Sequence, residues 1–256
     1  WRMKIYFHAN NKATLRSLQE CGVKNVLVSH KYSYANIDSF SNCFENIFVV
    51  AGTDDNPDKY HEFLKANKEK YSHAAQYHVP DNMNRTIDFW NKEVSKHLNT
   101  IPVLQEDFTK HLSQLNLPAG SHICVGKMKG RLDTEESIRK LPTNNKYHGL
   151  GKGKYITKDF FDSIDTSLWI SAAMSKKCEM WGDNSGIPMK FGDNIKTFEP
   201  ILEHYCDKYK DNMEIAGINK HGVKVRHYYT MLKLPMVLYY MPLCKHLKCY
   251  SDNFIK

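Results

Sequence analysis

The sequence predicts an α/β chain, a (βα)8 barrel of the TIM type over residues 1–175 with a mostly helical C-terminal extension at 176–256 packed on it. Three observations carry this. Eight short apolar runs recur along the first 165 residues, helical patterns separate several of them, and the last third changes character. Runs that are apolar at nearly every position suit parallel strands buried on both faces.

The runs are KIYFHA (4–9), NVLVSH (25–30), NIFVVAG (46–52), HAAQYHV (73–79), TIPVLQ (100–105), HICVGK (122–127), KYHGLG (146–151) and FFDSID (160–165). Between the first two, KATLRSLQECG sets Leu15, Leu18 and Cys21 on one helical face and stops at Gly22. After the third run, Pro57 and Asp58 start a helix that groups Tyr60, Phe63 and Leu64. MNRTIDFWNKEVSKHL repeats apolar residues at Ile87, Trp90 and Val94. DTEESIRKL has acids in its first turn and bases in its last, as the helix dipole favours. The close spacing of the runs leaves a doubly wound sheet as the alternative. Beyond residue 170, LWISAAMSKKCEMW reads as the eighth helix and NSGIPMKFGDN as a turn-rich insertion. TFEPILEHYCDKYKDNMEIAG and VRHYYTMLKLPMVLYYMPLCKHL then read as helical segments, the second interrupted by Pro235 and Pro242.

Hydrophobic residues make up 41% of the 256, enough for a core and against global disorder. The net charge of +8 makes polyanions suitable partners. No apolar run reaches the length of a membrane span, and the opening WRMKIYFHANNK lacks the apolar stretch of a signal peptide. The seven cysteines are odd in number and irregularly spaced, which reads as a reducing cytoplasm and not a disulfide scaffold. Cys244, His246 and Cys249 cluster, but a structural zinc site requires a tighter pair and further ligands; neither metal nor cofactor is expected.

In a barrel the chemistry sits at the C-terminal strand ends. His8, His30, His78 and His148 all fall there, as do Gln105, Gly126, Gly149 and Gly151. Glycines at such places let the backbone approach a ligand or simply turn. Lys127, Lys129, Arg131, Lys152 and Lys154 follow runs six and seven and are candidates for phosphate contact. Asp159, Asp162 and Asp165 crowd the last run; Asp162 and Asp165 are the nucleophile candidates, with helix capping by one of them as the plain alternative.

Residues 45–173 resemble the barrel of the tRNA-guanine transglycosylases. That family has a VGE strand end, an LP before the next strand, a GVG turn and then D-x-F-D. The matches here are Val125-Gly126-Lys127, Leu141-Pro142, Gly149-Leu150-Gly151 and Asp159-Phe160-Phe161-Asp162. The ending DSIDTSLW is similar to the VDSTSW strand of the DNA-acting branch of bacteria and phages, which inserts 7-deazaguanines. TIPVLQ resembles the fifth strand, where a Gln contacts the base, and DKYHEFLKANKEKYSHAAQYHV the helix and fourth strand.

The resemblance implies a base-exchanging glycosyltransferase acting on nucleic acid, DNA before tRNA, with a small purine-like base as second substrate. A carboxylate attacks the anomeric carbon, displaces guanine and holds the sugar until a modified base re-attacks. It implies Asp162 or Asp165 as nucleophile and Gln105 on the purine edge. Two departures stand out. Where the third strand of the family ends in Asp-Ser-Gly, this chain has Val50-Ala51-Gly52, with Asp54 and Asp55 following. Where the fourth strand ends in an acid that reads the purine, His78 stands, with Asp81 beyond it. The zinc motif of the tRNA-acting branch is absent. These departures keep two other readings open, an N-glycoside hydrolase and a non-catalytic descendant that binds nucleic acid or protein.

Overall fold

A computed structural model of the chain describes residues 3–33, 37–52, 56–80, 82–95, 98–105, 108–126, 135–175, 179–180, 189–190, 236 and 240–255. It falls into two compact units, one of Trp1–Asn10 with Lys24–Thr166 and the other of Asn11–Val23 with Ser167–Lys256.

The first unit is built on eight parallel strands: β1 (Lys4–Ala9), β2 (Asn25–Ser29), β3 (Asn46–Val50), β4 (His73–Ala74), β5 (Val103–Leu104), β6 (His122–Val125), β7 (Lys146–Gly149) and β8 (Ser163–Thr166). Each overlaps one of the apolar runs, with β8 reaching one residue past its run to Thr166, and β4 and β5 are much shorter than theirs. The sheet order is β4-β3-β2-β1-β8-β7-β6-β5, so first and last strands pair at its middle, with Ile5 opposite Ile164 and Tyr6 opposite Asp165. The sheet is strongly curled. Three strands separate β3 from β7 in that order, yet the rings of Phe48 and His148 stack 4.5 Å apart. On the same concave face Tyr6, Leu27, Phe48, Ala75, Ile101, Val103 and Cys124 form one cluster drawn from six strands and their ends. This is an α/β fold consistent with a TIM-like barrel.

Helices follow the strands. They are α2 (His30–Ser33), α3 (Ile37–Phe40), α4 (Pro57–Ala66), α5 (Met83–Ser95), α6 (Phe108–Gln114) and α7 (Glu135–Arg139). The start of α4 matches the sequence reading: Pro57 opens it and the Asn56 side chain accepts from the Asp58 and Lys59 N–H groups at 2.9 and 3.3 Å. Tyr60, Phe63 and Leu64 are buried as expected, and the Tyr60 hydroxyl donates to the Ala75 carbonyl at 2.6 Å. In α5 the inward face carries Trp90 as expected, but it is turned from Ile87 toward polar residues. Thr86, Trp90 and Glu93 are buried while Ile87 is only half-buried, so two polar residues face the interior.

Those two polar residues belong to the seam where the edges β4 and β5 meet. The ladder there is reduced to the Ala75–Ile101 bridge, with Gln76 N–H donating to Ile101 O at 2.8 Å and Ile101 N–H to Ala74 O at 2.7 Å. Side chains supply the rest. The Gln76 amide accepts from Val103 N–H at 2.9 Å and donates to Thr86 O at 2.7 Å. The buried Glu93 carboxylate takes Tyr77 N–H at 2.7 Å, Thr100 Oγ1 at 2.6 Å and His61 Nε2 at 2.9 Å.

In the second unit, α1 (Lys12–Glu20) carries a capping box at Asn11 and Thr14 and buries Leu15 and Leu18. Cys21, expected on that face, is half-buried, and Gly22 ends the helix at φ +68°. The helix α8 (Leu168–Ser175) covers the start of the expected eighth helix, but Glu179–Met180, expected to be helical, is a short strand paired antiparallel with Met189–Lys190. Near the end come α9 (Met241–His246) and α10 (Tyr250–Asn253). Phe254 bridges Val23, and Ile255 N–H donates to Gly22 O at 2.7 Å. The segment expected to be helical at 197–217 lies outside the described residues. No helix among the described residues is long and apolar enough to cross a membrane.

Candidate active site

Parallel strands alternate their faces, and β8 is short enough for parity to decide what its acids do. Ser163 and Asp165 share a face; Ile164 and Thr166 take the other. Asp165 pairs with Tyr6, a member of the concave cluster, and is itself 6% exposed. Its carboxylate therefore lies on the inner face. Oδ1 accepts the Gly151 N–H at 2.7 Å and stands 3.4 Å from His148 Nε2. Oδ2 takes no hydrogen bond from the described residues.

The neighbours of Asp165 come from three further strands. His148, fully buried on β7, shares its Nδ1 with Ser163 Oγ at 2.9 Å, stacks on Phe48 and meets Tyr6 edge to face. His8 lies two residues beyond Tyr6 on β1, diagonal to Asp165 and within its electrostatic reach. Burial holds the His8 imidazole below its ordinary pKa, and the Asp165 charge opposes this. Burial, reinforced by Asp165, pushes the Cys124 thiol well up, so this cysteine is a core residue and not a nucleophile.

The turn after β7 accounts for both glycines of the GLG triplet. A Cβ on Gly149 would sit 2.8 Å from Cβ of Lys152 and 3.0 Å from Cδ2 of Phe161. Gly151 has φ +66° and open space around it, so it is there for its backbone conformation, which aims its N–H at Asp165. Gly149→Ala is expected to cost about 1–3 kcal/mol by forcing Lys152 or Phe161 aside. Chemical denaturation should show this as a lower midpoint at unchanged slope; an unchanged midpoint would mean the turn yields freely.

Asp162 has a different place. It lies one residue before β8, at the strand's entry end, and is exposed. Its Oδ2 accepts Tyr147 N–H at 2.8 Å, while its own N–H donates to Tyr147 O at 2.9 Å. Asp162 and the exposed Asp159 line a groove of about 460 Å³ with Arg139, Tyr147 and Phe160, the Arg139 guanidinium lying 4.7 Å over the Phe160 ring. The two nucleophile candidates are thus separated by the length of β8, and only Asp165 faces the interior.

The other expected site residues divide three ways. Gln105 is buried, but its amide donates to Val79 O at 3.1 Å and Thr86 Oγ1 at 2.9 Å, so it helps close the β4–β5 seam. His78 is half-buried just past β4, its pKa lowered chiefly by burial. Gly126 directly follows β6, where a Cβ would meet only ordinary contacts, the nearest at 3.6 Å. Lys152 is fully buried, not displayed on the surface as a phosphate contact would be, and His30 packs against Tyr60 and Phe63. Asp54, Asp81, Lys127, Lys129, Arg131 and the side chain of Lys154 lie outside the described residues. No group of three or more His, Cys, Asp or Glu among the described residues is arranged to hold a metal ion.

The opposite end of the inner face is basic. His73 begins β4 and His122 begins β6, their rings perpendicular at 5.6 Å, with Lys4 and Lys146 beside them. Burial, then repulsion from His148 and His73, pushes His122 down to about 4, and burial with the Lys4 charge lowers His73. The unfolded chain protonates these rings near pH 6.5 while the folded chain resists. Their contribution to stability is therefore full above that pH and is lost as pH falls toward about 4. Thermal unfolding should drop accordingly between pH 7 and pH 5, and His122→Gln should flatten the profile; a wild-type profile already flat there would contradict it.

A scan of protein-family profiles and a search of curated proteins find no match to this chain. The functional reading therefore rests on the geometry of Asp165 and on the sequence pattern.

Proposed function

We propose that the eight strands of the first unit close into a TIM-type barrel and that the protein exchanges a guanine of nucleic acid for a 7-deazaguanine-type base, with Asp165 as the nucleophile. The observation that carries this is the Asp165 carboxylate: buried on the concave face, positioned through one oxygen, with the other left without a donor among the described residues.

Closure is supported by the strand register. From His8 it runs to Leu27, Phe48 and His73, then crosses to β5 by the Ala75–Ile101 pairing. Returning through β6, β7 and β8, it reaches β1 eight residues short of its start, and a displacement of eight is the shear of this barrel. The same register groups Tyr6, Phe48, Ile101 and His148 from the odd strands as one layer. Leu27, Ala75, Cys124 and Asp165 from the even strands form the next. Such barrels fill their interior with layers of four side chains, and here one member of a layer is a carboxylate.

In the proposed reaction one Asp165 oxygen attacks C1′ of the target nucleotide, and the C1′–N9 bond breaks with its electron pair leaving on guanine. The incoming base, having lost its N9 proton, attacks C1′ in turn and frees the carboxylate. Gly151 N–H would hold the spectator oxygen in place throughout. Proton transfer to and from the bases needs a second group. Asp54, Asp81 and His8 are the candidates, His8 because it faces Asp165 and is kept neutral by burial. Since a duplex hides the glycosidic bond, the target nucleotide must be flipped out. The +8 charge suits that substrate. DNA is preferred to tRNA on the likeness of DSIDTSLW to the DNA-acting branch.

Incubating the protein with duplex DNA, single-stranded DNA or tRNA and labelled guanine tests the proposal, scored for label entering polymer and for an adduct that survives denaturation. Release of base without incorporation would mark an N-glycoside hydrolase instead; binding with neither would mark a non-catalytic descendant. Binding should also weaken steeply with salt, as phosphate contacts release counterions. Salt-independent binding would remove the nucleic-acid reading.

A further inference from the structure

We propose that Cys244 and Cys249, in the second unit, are a dithiol pair that oxidises reversibly to an intramolecular disulfide. The helix α9 ends in a turn that brings them together. Cys249 N–H donates to Cys244 O at 2.8 Å and Lys248 N–H to Lys245 O at 3.1 Å, with Lys248 at φ +56°. That is the Schellman arrangement, in which the side chains of the two residues joined by the longer bond meet. Normally that contact is between two apolar residues. Here both positions are cysteine, and both are buried free thiols. Asn253 holds the turn from α10, donating to Cys249 O at 2.8 Å with the same nitrogen 3.9 Å from Cys244 Sγ.

The pair is also chemically asymmetric. The neighbouring Cys244 lowers the Cys249 thiol below its ordinary pKa, whereas Cys244 is raised by its neighbour Cys249 and by burial; the Asp252 charge pushes both upward. Cys249 is therefore the attacking thiolate and Cys244 the resolving thiol. With a low-molecular-weight disulfide such as oxidised glutathione, the Cys249 thiolate attacks one sulfur and expels a glutathione thiolate, leaving a mixed disulfide. Cys244 then gives up its proton and attacks the Cys249 sulfur, releasing the second glutathione. Two protein thiols become one disulfide, and the small disulfide becomes two thiols. Because both sulfurs are buried, exchange waits on opening of the turn. The loop closed is short and adds little stability, so the chemistry itself is the readout.

The test equilibrates the full chain in glutathione buffers of increasing oxidation, then quenches with acid, alkylates in denaturant and maps peptides by mass spectrometry. Cys244 and Cys249 should lose alkylation together, gain no glutathione, and lose the mass of two hydrogen atoms as a linked peptide. Excess reduced glutathione should restore both. Cys244→Ser should trap glutathione on Cys249, while Cys249→Ser should leave Cys244 alkylatable. If both wild-type thiols stay alkylatable at the most oxidising ratio, if glutathione persists on Cys249, or if either bonds to another cysteine, the inference is overturned. The wild-type mapping decides this even where a variant folds poorly.

Discussion

Asp165→Asn is expected to lower base exchange by about four orders of magnitude or more, in the range seen when an enzyme loses its attacking group, and to abolish the covalent adduct. The amide is nearly isosteric, and its oxygen can still accept the Gly151 N–H now 2.7 Å from Oδ1, so the turn and the sheet should be preserved. What is lost is the negative oxygen that attacks carbon. Asp162→Asn is the control. Its carboxylate accepts Tyr147 N–H at the other end of β8, and an amide oxygen can do the same, so exchange should stay within a few-fold of wild type. Measuring exchange, adduct and thermal midpoint for both variants separates the alternatives. Loss of exchange in Asp162→Asn with full activity in Asp165→Asn would reverse the assignment. Full activity in both would remove carboxylate nucleophilicity at β8.

The choice between these two acids shows where sequence reasoning reached its limit. The run FFDSID is legible as a strand because apolar residues surround it, and the order of runs is legible because parallel strands need helices between them. Which acid points inward depends on where the strand begins, and a shift of one residue exchanges the faces. Phe160 and Phe161 look like strand residues by type. Phe160 instead lies in the groove beside Arg139, the strand opens at Ser163, and Asp162 is left outside it. Gln105 is the converse case. A glutamine ending an apolar run looks like a substrate contact, because a buried amide needs a partner. Its partners turn out to be Val79 and Thr86 of the same chain. Nothing local to TIPVLQ could reveal this, since Thr86 comes from a separate helix, α5.

That helix supplies the second large effect. Glu93→Ala is expected to destabilise the first unit by about 3–5 kcal/mol, the range for removing one partner of a buried ionic or hydrogen-bonded cluster. By residue type alone, a glutamate belongs on a solvent-facing surface. In the fold Glu93 is fully buried and joins three elements: His61 from α4, the Tyr77 backbone after β4, and Thr100 ahead of β5. These converge where the β-ladder is weakest, at the Ala75–Ile101 bridge. Alanine leaves the Tyr77 N–H, the Thr100 hydroxyl and the His61 ring without their acceptor in a site closed to water, and each such group costs about 1–3 kcal/mol. Partial relaxation keeps the total below their sum. For a unit of this size the loss corresponds to a fall in thermal midpoint on the order of 10 °C. Glu93→Gln keeps one acceptor oxygen, and the Thr100 hydroxyl can rotate to accept from the new amide, so its cost should be smaller. Hydrogen exchange gives the decisive reading. Protection should fall first at Gln76, Tyr77 and Ile101, whose N–H groups span the seam, before it falls at Leu27 or Phe48 across the sheet. Uniform loss across all strands would mean that Glu93 stabilises the whole sheet without closing its edges, and no loss would mean that the backbone bridge suffices alone.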